Sequence, residues 1–210
     1  MDKNKYIDHT LLKAYAKEQD IYYLCNEAKE YNFKSVCVNP DFVSYAKEQL
    51  KGSDVLVCTV IGFPLGANTT KTKVFEAIDA INNGADEVDM VINISKVKDQ
   101  DYDYIYNEIK EIKEAVKNHT LKVIIETCYL TAEEIKKVSL IVKEAKADFV
   151  KTSTGFGTGG ATVENVKLIK EAVGNFDIKA SGGIKTKEDF DKMVEAGATR
   201  IGTSNGKNLI

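Results

Sequence analysis

Short apolar runs recur along the chain and alternate with stretches in which apolar residues return every three or four positions. Eight runs read as strands: 5–10 (KYIDHT), 34–39 (KSVCVN), 55–62 (VLVCTVIG), 87–93 (EVDMVIN), 122–127 (KVIIET), 149–154 (FVKTST), 178–183 (IKASGG) and 200–204 (RIGTS). Between them Val74, Ile78 and Ile81 fall on one helical face, as do Ile105, Ile109 and Ile112. Thr186 followed by Asp189 has the spacing of a capping box, and Gly84 and Gly197 stand where helices would stop. NNGADEVDM, EAKADFVKT and EAGATRIGT echo one another as helix end, small residue and strand. Strand and helix alternating eight times without a long linker predict a parallel sheet closed into a (β/α)8 TIM barrel, one α/β domain over 1–210; an open doubly wound sheet is the alternative.

Successive residues of a barrel strand face the helices and the interior in turn. With Val88, Met90 and Ile92 assigned to the helices, Glu87, Asp89, Val91 and Asn93 point inward. The same parity sends Cys37 and Asn39, Ile124 and Glu126, Lys151 and Ser153, and Lys179 and Ser181 into the interior, with Asp8 and Thr10 on one face of the first strand. Charged groups there are costly to desolvate unless paired or wetted. A structural ion pair of Lys151 with Asp89 or Glu126 accounts for some of this charge. Two lysines on successive strands repel each other, however, which fits a site at the strand ends better.

Composition narrows the partners. The 210 residues carry a formal net charge of −3 with charges interspersed, and no basic block suggests nucleic acid or an anionic membrane. Lysine is abundant and Arg200 is the only arginine, which reads as compositional bias. MDKNKYIDHT has no apolar core of signal-peptide length, and 55–67, the longest apolar-rich run, is too short to span a bilayer, so a soluble, cytoplasmic protein is expected. Cys25, Cys37, Cys58 and Cys128 lack C-x-x-C spacing and read as buried thiols.

Lysine amines have a pKa of about 10.4, so at neutral pH almost all are protonated and not nucleophilic. A neighbouring ammonium and partial desolvation both favour the neutral amine, which can attack an aldehyde or ketone to form an imine. The protonated imine is an electron sink, the requirement for making or breaking a C–C bond. Lys151 is thus a candidate nucleophile, Lys179 its cationic neighbour, and Asp89 a proton-transfer group. The turns Ser181–Ile184 and Gly202–Gly206 follow the seventh and eighth strands, where barrel loops often bind phosphate. Thr203, Ser204 and Asn205 can donate hydrogen bonds there, and Lys185 can add charge.

Gly155, Gly157 and Gly160 fit G-x-G-x-x-G, but a dinucleotide fingerprint belongs to the first βα unit and needs an acidic residue ending the next strand; Asp177 precedes its strand. This segment reads instead as a flexible loop over the site. With two histidines, His9 and His119, at no ligand spacing, the sequence calls for no metal and no cofactor.

YIDHTLL, SVCVNP, VIGFPLG, GADEVDMVIN, KVIIET, FVKTSTGF, IKASGGI and IGTS, spread over nearly the whole chain, together resemble the deoxyribose-phosphate aldolase family, class I aldolases with a TIM-barrel fold. The resemblance implies reversible cleavage of 2-deoxy-D-ribose 5-phosphate to acetaldehyde and D-glyceraldehyde 3-phosphate through a lysine Schiff base, in deoxyribonucleotide catabolism. It implies Lys151 as the imine-forming residue, Lys179 as the group that perturbs it, and Asp89 in the proton relay. Gly155, Gly182, Gly183, Gly202 and Ser204 correspond to phosphate-binding positions, while Asp8, Cys37 and Thr154 correspond to the pocket lining. A phosphosugar is the implied partner, and a homodimer is left open. Three departures stand out: Lys185 where some relatives carry arginine, Asn205 where some carry a second serine, and GKNLI where some end in tyrosine.

Overall fold

The computed structural model describes residues 3–210. Its strands are β1 (Ile7–Leu11), β2 (Ser35–Val38), β3 (Leu56–Ile61), β4 (Glu87–Val91), β5 (Thr120–Ile124), β6 (Phe149–Lys151), β7 (Asp177–Ser181) and β8 (Arg200–Thr203). They pair in chain order, all parallel, and β8 closes back on β1 through the register Asp8 to Gly202. The closed barrel excludes the open doubly wound sheet. The helices are α1 (Glu18–Glu30), α2 (Val43–Gln49), α3 (Thr70–Asn82), α4 (Ile94–Lys98), α5 (Tyr102–Val116), α6 (Ala132–Glu144), α7 (Val163–Val173) and α8 (Lys187–Ala196). A 3-10 turn, Gly206–Asn208, follows β8.

The main core lies between barrel and helices, and it takes one parity of each strand. Val36 and Val38, Val88, Met90 and Ile92, Val123 and Ile125, and Ile178 and Ala180 all belong to it. A separate cluster of Leu12, Cys37, Cys58 and Val60, with Phe63 against it, fills part of the interior. Ile105, Ile109 and Ile112 are fully buried along α5, as their spacing predicts. The capping box of Thr186 and Asp189 opens α8, and Gly197 ends it in the left-handed region.

Two expectations need correction. On α3 the fully buried positions are Lys73, Ala77 and Ala80; Val74 and Ile81 pack beside them on the core, and Ile78 is exposed. Lys73 threads inward to donate to the Val91 carbonyl oxygen at 2.8 Å and Glu108 Oε1 at 2.7 Å. Near the end of β5 the alternation breaks, because Glu126 has φ 51°, and its carboxylate turns to the next loop.

Candidate active site

The inner positions of six strands carry one ionic network. β4 supplies Glu87 and Asp89, β5 Lys122, β6 Lys151, β7 Lys179, β8 Arg200 and β1 Asp8. Lys151 and Lys179 are register partners on neighbouring strands. Their Nζ atoms each stand 2.8 Å from the same oxygen, Asp89 Oδ2. Lys179 also pairs with Asp8 Oδ2 at 2.5 Å. Lys122 contacts Asp89 Oδ1 at 3.0 Å and Glu87 Oε2 at 2.5 Å, and Arg200 joins Glu87 to Asp8 at 3.0 and 2.7 Å. Ser35 Oγ donates to Asp8 Oδ1 at 2.7 Å.

These contacts fix the resting charges of the supporting groups. Burial works against ionisation of Asp89, but the ammoniums of Lys122, Lys151 and Lys179 outweigh it and hold the carboxyl well below the usual range. Asp8 is likewise buried, and Arg200 with Lys179 and Lys122 carries it far down. Burial also opposes charge on Lys179, yet Asp8 and Asp89 prevail and raise it above an ordinary lysine. Lys122 is raised in the same way, against burial, chiefly by Asp89.

Above this network opens a cavity of about 240 Å³. Lys151 is the one network lysine that reaches it: its residue exposure is 3%, against none for Lys122 and Lys179. Thr154, Gly155, Gly182, Gly183 and Lys185 line it. Gly202 and Ser204 line it as well, with Thr10 and Lys13. Gly202 is an inward position of β8 at which a Cβ would meet Lys179 Cε and Ser181 Cβ at 3.0 Å, so its missing side chain makes room for the lysine stem. Thr154 is held by Glu126, whose Oε1 accepts its N–H at 3.2 Å and whose Oε2 accepts its hydroxyl.

Three expected lining residues stand elsewhere. Asp8 lies below the cavity, fully buried between Lys179 and Arg200. Cys37 is buried in the inner apolar cluster. Asn205 is half-buried outside the lining, its N–H donating to Thr203 Oγ1 at 3.0 Å. The ion-pair alternative for Lys151 is realised with Asp89 and not with Glu126.

Sequence reasoning missed Lys122, Arg200 and Lys13. The first two share the inward parity of Ile124 and Gly202 and were within reach of that rule. Lys13 follows β1 on an irregular segment with no periodicity to place it.

The glycine-rich segment after β6 is packed on its neighbours. Ala161 N–H is shared by the Ser181 and Gly182 carbonyl oxygens at 3.1 and 3.0 Å. A Cβ on Gly160 would stand 2.2 Å from the Gly182 oxygen. These glycines therefore serve a close approach of two loops, where the sequence suggested a flexible cover.

Cys37, Cys58 and Asp89 form a possible donor set for a cation, with ligand atoms within 4.8 Å of one another. Lys122 Nζ already stands 3.4 Å from Cys58 Sγ and 3.0 Å from Asp89 Oδ1. Its ammonium fills the electrostatic role a metal would have, so the set does not fit a metal ion.

A parallel barrel with adjacent lysines around a buried carboxylate, opening at the C-terminal strand ends, defines a barrel lyase site of the aldolase class. The DeoC/LacD family aldolase profile matches residues 4–209. The chain belongs to that family. It is 61% identical, over its whole length and 96% of the other protein, to a deoxyribose-phosphate aldolase of Thermoanaerobacter sp. (strain X514). Among solved structures, a putative deoxyribose-phosphate aldolase from Coccidioides immitis superposes with a TM-score of 0.97 at 45% identity, covering 99% of this chain and 84% of that one. The deoxyribose phosphate aldolase from Aeropyrum pernix, described as a unique tetramer, gives 0.92 at 32% identity, covering 99% and 88%.

Proposed function

We propose that this aldolase cleaves 2-deoxy-D-ribose 5-phosphate reversibly to acetaldehyde and D-glyceraldehyde 3-phosphate, with Lys151 as the Schiff-base nucleophile. The observation that carries the reading is Lys151 at the base of the cavity, its Nζ on a carboxylate oxygen that Lys179 also holds. Names of relatives at 61% identity over the full chain support the substrate.

The neutral Lys151 amine adds to the C1 aldehyde of the open-chain sugar; the carbinolamine hydroxyl takes up a proton and leaves as water, giving a protonated imine. A base removes the proton of the C3 hydroxyl; the C2–C3 bond breaks and its electron pair moves into the imine as an enamine. Glyceraldehyde 3-phosphate departs, C2 takes up a proton, and water hydrolyses the remaining imine to acetaldehyde and free lysine. Asp89, held ionised between lysines, accepts and returns these protons directly or through water, and Lys179 keeps it in position. The Gly182–Gly183 turn, Gly202, Ser204 and Lys185 are the groups offered to the phosphate, Lys185 as a point charge without the fork of an arginine.

Acetaldehyde with borohydride should fix a two-carbon adduct on Lys151, read by peptide mass spectrometry. Lys151→Leu should lose turnover by about 10³-fold or more while keeping its circular dichroism spectrum, since no other group supplies the imine. Wild-type turnover in that variant, or an adduct elsewhere, would overturn the assignment.

A further inference from the structure

The barrel network holds four cations, Lys122, Lys151, Lys179 and Arg200, against three carboxylates, Asp8, Glu87 and Asp89. Among the described residues Lys151 has the weakest claim on an anion: its one carboxylate contact is with Asp89, whose same oxygen is bound by Lys179 and whose other oxygen is bound by Lys122. Arg200 stands at the other end of the relay. Its guanidinium bridges Asp8 and Glu87 and lies 5.2 Å from the Phe149 ring centroid, away from the cavity lining. The remaining titratable neighbours do not change this balance. Glu126 is turned to Thr154, and the buried Cys58 thiol is pushed well up by burial, while its contact with Cys37 lowers that second thiol, which sits in the apolar cluster with Leu12 and Val60.

We propose that Arg200 is a positioning residue for the aldolase reaction: by pairing with Asp8 and Glu87 it supplies, with Lys122 and Lys179, the three charges that match the three carboxylates, and so leaves Lys151 as the surplus cation whose proton loss gives a charge-balanced interior. Three cations then face three carboxylates, the arrangement that buried charge favours. The inference rests on the Schiff-base reading above. It gives Arg200 a task that reaches the reacting atom through four successive ion-pair contacts, by way of Asp8, Lys179 and Asp89.

The test is the pH dependence of kcat/KM for deoxyribose 5-phosphate cleavage in charge-altered variants. Arg200→Met removes a positive charge, so Lys151 is needed as a counter-ion. The rising limb should move up by about one pH unit, with about tenfold lower kcat/KM at neutral pH and recovery at higher pH. Glu87→Gln removes a negative charge and should move the limb down by a similar amount. The double variant should return it, and Arg200→Lys should keep its position whatever the rate. A residue with only a structural role would lower activity without opposed shifts.

Limbs that do not move, or that move the same way in both single variants, overturn the inference. If Arg200→Met does not fold, Glu87→Gln alone must move the limb down. Borohydride trapping on the wild type separates the two readings: no adduct at Lys151 counts against the Schiff base, while an adduct together with immobile limbs counts against the role of Arg200 alone.

Discussion

His9 follows Asp8 on β1, but its ring points away from the network and packs against Phe33, with centroids 5.3 Å apart. Its Nε2 lies 2.5 Å from Glu27 Oε2 on α1, and Glu27 also pairs with Lys207 at 3.1 Å. Burial lowers the pKa of the imidazole, and the Glu27 carboxylate only partly offsets this. The unfolded chain, with a histidine pKa of about 6.5, therefore binds a proton before the folded one does. The stability involved is present above about pH 6.5 and is lost as pH falls below it. Glu27 is itself lowered, its bonds to Lys207 and His9 prevailing over burial, and it acts in the carboxylate range below this window. The urea midpoint should fall between pH 7.5 and 5.5, and His9→Gln should flatten that slope; an equal slope in both proteins would remove His9 as its source. Legibility at this scale followed alternation. Asp89 and Lys179 are readable because each sits between apolar residues of a strand, and Lys151 because it follows the helix-facing Val150. Arg200 reads as composition when counted, although the same rule points it inward with Gly202. No sequence rule reaches the Glu126 to Thr154 contact, since it depends on a left-handed residue that ends the parity.

At the scale of elements, all eight strands and the inward face of α5 could be read from periodicity, since each strand buries one face on the helices. The face of α3 could not, because a fully buried lysine with two alanines looks polar and small in sequence. The loop after β6 is packed where the sequence predicts a flexible cover, for a related reason. G-x-G-x-x-G describes where side chains are missing and not which backbone approaches. Here the approach is from the Gly182 carbonyl, and Gly160→Ala would bring a methyl to 2.2 Å of its oxygen. Either the loop withdraws or the Gly182–Gly183 turn moves, and both line or adjoin the cavity. We expect a loss of about 1–3 kcal/mol in stability and a rise in KM of roughly tenfold. Urea denaturation and steady-state kinetics measure the two effects. A wild-type KM with wild-type stability would show that the loop can withdraw freely.

Across the whole molecule the network ties β1, β4, β5, β6, β7 and β8 together around Asp89 and Asp8, so its members should not contribute independently. Asp89 alone faces three ammoniums, and none of the three has solvent access beyond the slight opening at Lys151. Removing its charge with Asp89→Asn leaves cations buried at short range with too few partners. The expected loss is about 3–5 kcal/mol, the range for breaking a buried pair from one side. Lys122→Met taken alone should also destabilise, since it strands Glu87 and Asp89 oxygens at 2.5 and 3.0 Å from the lost Nζ. Combined, the two changes remove opposite charges, and the double variant should be more stable than the sum of single losses predicts by at least about 1 kcal/mol. Urea titrations of the four proteins close the cycle. Strict additivity would mean that the barrel interior is a set of separate pairs and not a shared charge balance, and it would also weaken the case that a change at Arg200 can be felt at Lys151.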